Sequence, residues 1–268
     1  MPLYLVGGGL SAQYLTLRAL QILGGADKVY IDSYTSIAPG LDEELVARLN
    51  PRAEVARATR SLLEEFSSKV IDEAREKTVV ILVPGDPLTA TTHIALVAEA
   101  RRRGVEAEVV PGVGGPQAVM SATGLQFYRF GKPVTLVYPE DGVKPYSTVE
   151  TIAENRRRGL HTLVLLDLRL DEGKAMTVPE AVKILLDIER ELARRGELEP
   201  FLGDALLIGV ARAGLPEQTC VAGPPEAVAA ADYPPPPHSL VVAAPRLHPV
   251  EEEALSALCS VAEIKEKV

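Results

Sequence analysis

The stretch TVVILVPGDPLTATTHIALVAEARRRG, residues 78–104, reads as a strand, a turn and a helix in that order. From Val79 to Val83 it is apolar without a break, as a strand must be when both of its faces are covered. Pro84-Gly85-Asp86-Pro87 ends the run, because proline withdraws a backbone donor and glycine accepts turn conformations that other residues resist. Apolar residues then return at helical spacing through HIALVAEARRRG, and Gly104 stops them. A doubly covered strand followed by a helix is the building unit of a parallel sheet with helices on its faces.

Outward from this stretch the same alternation recurs. LYLVG (3–7) and KVYID (28–32) read as strands with the helix LTLRALQILGGA between them. SLLEEFSSKVIDEAREK reads as one helix, EAEVVPG as a strand, and residues 116–123 as a further helix. TGLQFYRFGK (123–132) gathers aromatic and turn residues, after which the pattern restarts. The expected organisation is therefore two α/β domains, 1–125 and 126–268. In the second, strands are read in PVTLVYP, HTLVLLDLRL, DALLIGVARAG, QTCVAG, HSLVVAAP and, at the end, around AEIKEKV. Helices are read near 147–158, over VPEAVKILLDIERELARRG and over VEEEALSAL. Its strands follow one another more directly, which predicts a mixed sheet against a mainly parallel one in the first domain.

Composition narrows the class of partner. A net charge of −9 argues against nucleic acid, whose phosphates are met by Lys and Arg. The basic runs at 101–103 and 156–158 sit where helices are expected to end and complement the macrodipole there. No apolar run approaches the roughly 18 residues a membrane crossing takes, and MPLYLVGGGL lacks the basic start of a secretory signal, so a cytoplasmic protein is expected. Cys220 and Cys259 have no metal-binding spacing and are expected as buried free thiols.

Ligands of open α/β sheets bind beyond the carboxyl ends of the strands. Four segments lie there: GGGLSA (7–12), PGDPLTATTH (84–93), PGVGGP (111–116) and ARAG (211–214). GGGLSA fits the dinucleotide fingerprint and Asp32 stands where a ribose-binding acid would, which keeps an NAD-dependent oxidoreductase open. Against it, SAQY intervenes before the helical pattern begins. Asp86 is expected either to cap a helix or to meet a ligand, and Thr89, Thr91 and Thr92 could do the same. His93, His161 and His248 are expected to be structural, while the PPPP tract delivers His238 stiffly to the start of a strand. Triads, H-E-x-x-H and the P-loop are missing from the sequence, which leaves loops rich in backbone and poor in acids and bases. Such loops suit a reaction limited by alignment, such as methyl transfer from a sulfonium.

LYLVGGGLSAQYLTLRALQILGGADKVYID resembles the opening of the tetrapyrrole-methylase superfamily, and PGDPLTATTH its Gly-Asp-Pro loop. SYTS (33–36), TGLQFYRFGK, GLHTLVLLD, ARAG and PPPHSLVV followed by RLHPVE are similar to the diphthine synthase family within it. The resemblance implies two α/β domains with S-adenosyl-L-methionine in the cleft between them, and a homodimer. It implies repeated methylation of the amino group on a 3-amino-3-carboxypropyl-histidine of translation elongation factor 2, a step of diphthamide synthesis. Carried over by position, the cofactor residues are Leu10, Asp86, Thr89, Gly115, Pro116, Leu166, Ala213 and His238. There are two departures from the pattern: Gly115-Pro116 replaces a serine and an aliphatic residue, and Thr89 is polar where an aliphatic residue is common. The alternative within the superfamily, C-methylation of a porphyrinoid, would ask for basic residues to meet substrate carboxylates.

Overall fold

The computed structural model describes residues 2–140 and 142–262. It divides into two compact units, one running to Gly115 and including Leu170–Glu172, the other comprising Pro116–Arg169 and the residues from Gly173 onward.

In the first unit the chain alternates β1 (Leu3–Gly7), α1 (Leu17–Gly24), β2 (Lys28–Asp32), α2 (Glu43–Leu49), β3 (Glu54–Ala58), α3 (Arg60–Glu64), α4 (Ser67–Glu73), β4 (Val79–Val83), α5 (Ile94–Arg102) and β5 (Ala107–Val110). The sheet has the order β3-β2-β4-β1-β5 and is parallel throughout. β4 lies at its centre and shows why the opening run has no polar residue. Val79, Ile81 and Val83 enter one apolar layer with Leu63, Val70, Ile71, Leu96 and Val97, while Val80 and Leu82 enter the other with Ile22, Leu23, Leu45 and Val46.

SAQY does delay the first helix. Ala12–Tyr14 form a 3-10 turn, and α1 starts only after Thr16, whose hydroxyl accepts from the N–H of Ala19 at 3.1 Å. The single helix expected over 61–77 is two, α3 and α4, with Phe66 turned outward between them. α2 and β3 were not expected from the sequence. β3 pairs only with β2 and has half-exposed residues, so it lacks the apolar signature of its neighbours.

α6 (Gly115–Thr123) leads into the second unit: Val119, Ala122 and Leu125 pack with Leu163, Ile208 and Val241. The division between units thus falls at the start of this helix, where the sequence reading put the boundary after it. There follow β6 (Val134–Leu136), α7 (Tyr146–Arg157), β7 (Thr162–Leu166), β8 (Leu168–Arg169), β9 (Lys174–Ala175), α8 (Val178–Arg194), β10 (Leu207–Ala211), β11 (Thr219–Gly223), α9 (Pro225–Ala229), β12 (His238–Val242), α10 (Pro249–Leu258) and β13 (Ser260–Val261). The strand expected around AEIKEKV lies outside the described residues beyond Ala262.

The second sheet, β13-β11-β10-β12-β7-β6, is mixed: β10 pairs antiparallel with β11 and β12, and β7 parallel with β6. α8 covers one face with the stripe Val178, Ala181, Val182, Leu185, Ile188 and Leu192. Its start is fixed by Glu180, whose carboxylate accepts from the N–H of Thr177 at 2.8 Å. α6 and α10 cover the other face.

Cys220 and Cys259 are buried as expected, but they are not free thiols. They form a disulfide with a Cα–Cα distance of 4.6 Å, joining β11 to the end of α10. Sheet and helix bring together two residues 39 positions apart, a proximity that no local spacing encodes.

Candidate functional site

In the first unit the loops after β1, β4 and β5 converge through backbone. The N–H of Gly9 donates to the carbonyl of Gly85 at 3.1 Å and the N–H of Gly85 to that of Gly9 at 2.8 Å, a small antiparallel bridge beyond the ends of parallel strands. A Cβ on Gly7 would come to 2.5 Å from the nitrogen of Gly112, and one on Gly112 would collide with the carbonyl of Gly85. Gly9 and Gly85 take positive φ, so glycine is required there for conformation, and at Gly9 for space as well.

Asp86 holds these loops together. Its Oδ1 accepts from the N–H of Leu88 and from the Thr89 hydroxyl, each at 3.0 Å, and its Oδ2 from the N–H of Gly112 at 3.2 Å. It caps no helix, since α5 begins only at Ile94. A carboxylate offers about four lone-pair directions, of which these three bonds leave one unfilled. Thr89 spends its hydroxyl hydrogen on Asp86 and is a brace for the loop. Leu10 and Gly115 are half-buried beside the bridge and the third loop, and no atom lies within 4 Å of where a Cβ on Gly115 would stand. Pro116, the second residue of α6, brings no N–H.

Asp32, the acid an NAD site would use, is taken. Its carboxylate is fully buried and accepts from the N–H groups of Tyr34 and Thr35, from the Thr35 hydroxyl and from His93 Nε2 at 2.9 Å. Burial alone would raise its pKa, but His93, Thr35 and the two N–H groups outweigh burial and hold the carboxyl below its ordinary value. A ribose hydroxyl finds no free oxygen here.

In the second unit, Leu166, Ala213 and His238 gather at one end of the sheet. Ala211 pairs with His238 across β10 and β12, and Ser239 with Leu165 across β12 and β7. The His238 ring is occupied: Nδ1 accepts from the N–H of Val178 at 3.2 Å, and Nε2 donates to the carbonyl of Pro234 at 2.7 Å. Burial also pushes its pKa below the ordinary value, keeping it neutral. Both ring nitrogens of His238 are therefore spent within the protein.

Among the described residues other than glycine, positive φ occurs at Ala90, in the Gly-Asp-Pro loop, and at Arg212, in ARAG. Such conformations cost about 1–3 kcal/mol each and collect where function requires them. ARAG stands out in the sequence as a loop after a strand, but a left-handed arginine is not legible there. No group of metal-binding side chains, and no helix long and apolar enough to cross a membrane, occurs among the described residues.

Residues 2–229 match the family model of the Tetrapyrrole (Corrin/Porphyrin) Methylases. The chain belongs to the tetrapyrrole methylase family. Within that family it is 44% identical to the diphthine synthase of Staphylothermus marinus, over 97% of this chain and 95% of the relative. It is 36% identical to the diphthine methyl ester synthase of Aspergillus fumigatus, over 93% and 90% of the two chains. A crystal structure of diphthine synthase superposes with a TM-score of 0.85 at 34% identity, covering 97% of each chain. The expected tetrapyrrole-methylase fold, a parallel sheet and a mixed sheet each covered by helices, is the one this methylase has.

Proposed function

We propose that this chain is a diphthine synthase, methylating the amino group of the 3-amino-3-carboxypropyl chain on a histidine of elongation factor 2, with S-adenosyl-L-methionine as donor. The observation that carries the reading is likeness to the Staphylothermus marinus enzyme over nearly the whole of both chains. The loops support it, because a nucleoside donor is flat and asks for close backbone and few side chains. The close backbone packing of Gly7 and Gly112 fixes the loops against each other, and the open space at Gly115 meets that demand.

Leu10, Asp86, Gly115 and Pro116 would hold the donor, with Thr89 bracing Asp86. Leu166, Ala213 and the backbone of His238 would contribute as well. When bound, S-adenosyl-L-methionine supplies a methyl group already activated by its sulfonium. Asp86 is the ionisable residue among those assigned to the donor that has a lone pair to spare, so it orients the donor and balances positive charge there. Loops built this way serve alignment, and proton removal between successive methylations is left to solvent. The same reading makes the enzyme cytoplasmic and homodimeric, the latter measurable by light scattering.

Purified protein incubated with S-adenosyl-L-methionine and elongation factor 2 bearing the unmethylated side chain is expected to add methyl groups to the amine, counted by mass spectrometry. S-adenosylhomocysteine is expected to bind in calorimetric titration and NAD not to. Binding of NAD alone, with no methyl transfer, would overturn the assignment.

A further inference from the structure

We propose that Arg212 is the acceptor-binding residue of the site and that its guanidinium holds the carboxylate of the 3-amino-3-carboxypropyl chain. The inference rests on the diphthine synthase reading and adds to it the group that recognises the acceptor.

Arg212 follows β10 directly, one residue before Ala213, and its N–H donates to the carbonyl of Pro237 beside His238 at 2.8 Å. Its backbone is thereby fixed in the left-handed region, at φ 51. A side chain held in that conformation points where a relaxed one would not. The side chain is only 19% exposed, and its buried Nε makes no hydrogen bond. The acid nearest that Nε is the exposed Glu217, whose carboxylate lies 3.4 Å away without making a hydrogen bond to it. Buried cations are ordinarily well paired, as Arg129 is here: it reaches the fully buried carboxylate of Glu251 and the carbonyl of Arg246. An under-partnered, sheltered guanidinium at the end of the sheet that carries Ala213 and His238 is prepared for a carboxylate. Arginine meets carboxylates through paired N–H groups in a fixed fork, which lysine does not have. The acceptor proposed above bears its carboxylate on the carbon that carries the reacting amine, so gripping the one places the other.

Arg212→Gln, Arg212→Lys and Glu217→Gln variants test this. Methyl transfer to elongation factor 2 bearing the unmethylated side chain gives KM and kcat, and titration with S-adenosylhomocysteine gives donor affinity. Arg212→Gln is expected to raise the acceptor KM roughly 10- to 100-fold, the range of a lost charged hydrogen-bond pair, and to lower kcat as well because the amine is no longer placed, while donor affinity stays near wild type. Arg212→Lys is expected to recover part of the loss. Glu217→Gln should leave KM within about twofold, as an exposed ion pair contributes little. An unchanged KM in Arg212→Gln would overturn the proposal. So would a Glu217→Gln variant that reproduces the Arg212→Gln defect, since the pair would then be a brace for the loop. A wild-type protein that binds S-adenosylhomocysteine but leaves elongation factor 2 unmethylated would instead overturn the functional reading on which the acceptor depends.

Discussion

At the scale of single residues, Asp86 shows how one carboxylate can be both ligand and scaffold. Because it accepts from Leu88, Thr89 and Gly112, its loss should be felt in stability as well as in binding. Asp86→Ala is expected to destabilise the first unit by about 1–3 kcal/mol and to weaken S-adenosylhomocysteine binding at the same time, both measurable by calorimetry. Thr89→Val removes one hydroxyl donor and should cost about 0.5–1.5 kcal/mol, with donor affinity reduced less than in Asp86→Ala. The contrast tests whether Thr89 acts through Asp86. Asp86 was legible in the sequence as the important acid because it follows an apolar strand inside a Gly-Pro turn. Its partner Gly112 was not, since the bond crosses from one loop to another. The same limit hid the occupation of Asp32: its place after β2 suggested a ribose ligand, and only the fold shows His93 arriving from α5 to take that oxygen.

At the scale of elements, three of the stretches that single out the family meet at Glu251. Its Oε1 accepts from the N–H of Gln126 at 3.1 Å and from His161 Nε2 at 3.1 Å, and its Oε2 from Arg129 and from the N–H of His248 at 2.9 Å. TGLQFYRFGK, GLHTLVLLD and RLHPVE are thus one structural knot joining the segment before β6, the start of β7 and the N-terminus of α10. His161 Nδ1 accepts from the N–H of Ala244 at 2.9 Å, so the ring is neutral with its hydrogen on Nε2. The expectation of structural roles for His161 and His248 agrees with this arrangement. Glu251→Gln leaves Arg129 facing an amide and should cost about 3–5 kcal/mol, read from the thermal transition of the second unit.

The pH dependence of this knot follows from two shifts of known direction. Burial opposes ionisation of Glu251, yet the N–H groups of His248 and Gln126 and the His161 ring outweigh it and hold the carboxyl below its ordinary value. Its stabilisation is therefore complete above the ordinary carboxyl range and is lost as pH falls through the lowered folded value. Burial holds His161 below its ordinary value too, so the unfolded chain binds that proton more readily and stability declines as pH drops below about 6.5. Acid should lower the stability of the second unit in two steps, the first assigned to His161 and the second to Glu251. An acid titration followed by hydrogen exchange would check the order. The long helix α8 was legible at this scale because its apolar stripe is continuous, whereas the break between α3 and α4 was not, because Leu62, Leu63, Phe66, Val70 and Ile71 keep helical spacing across it.

For the whole molecule, the alternation of strands and helices made two α/β units legible, and the tight succession of later strands made the second sheet recognisably mixed. The place where one unit gives way to the next was harder to read, because α6 continues the βα rhythm of the first while packing with the second. Two units with separate cores need not unfold together, and the disulfide distinguishes them, since both of its cysteines belong to the second. Closing a loop between residues 39 apart removes chain entropy from the unfolded state. On a loop-entropy basis this stabilises that unit by about 4 kcal/mol. Tryptophan is absent from the sequence, so intrinsic fluorescence would report poorly on either unit, and calorimetry with peptide-resolved hydrogen exchange is the suitable measurement. Reductant, or Cys259→Ser, is expected to lower the melting transition of the second unit and to speed exchange in β11 and α10, while β1, β4 and β5 keep their protection. Equal loss in both units would mean that they unfold as one body, and no loss in either would mean that Cys220 and Cys259 remain thiols in solution.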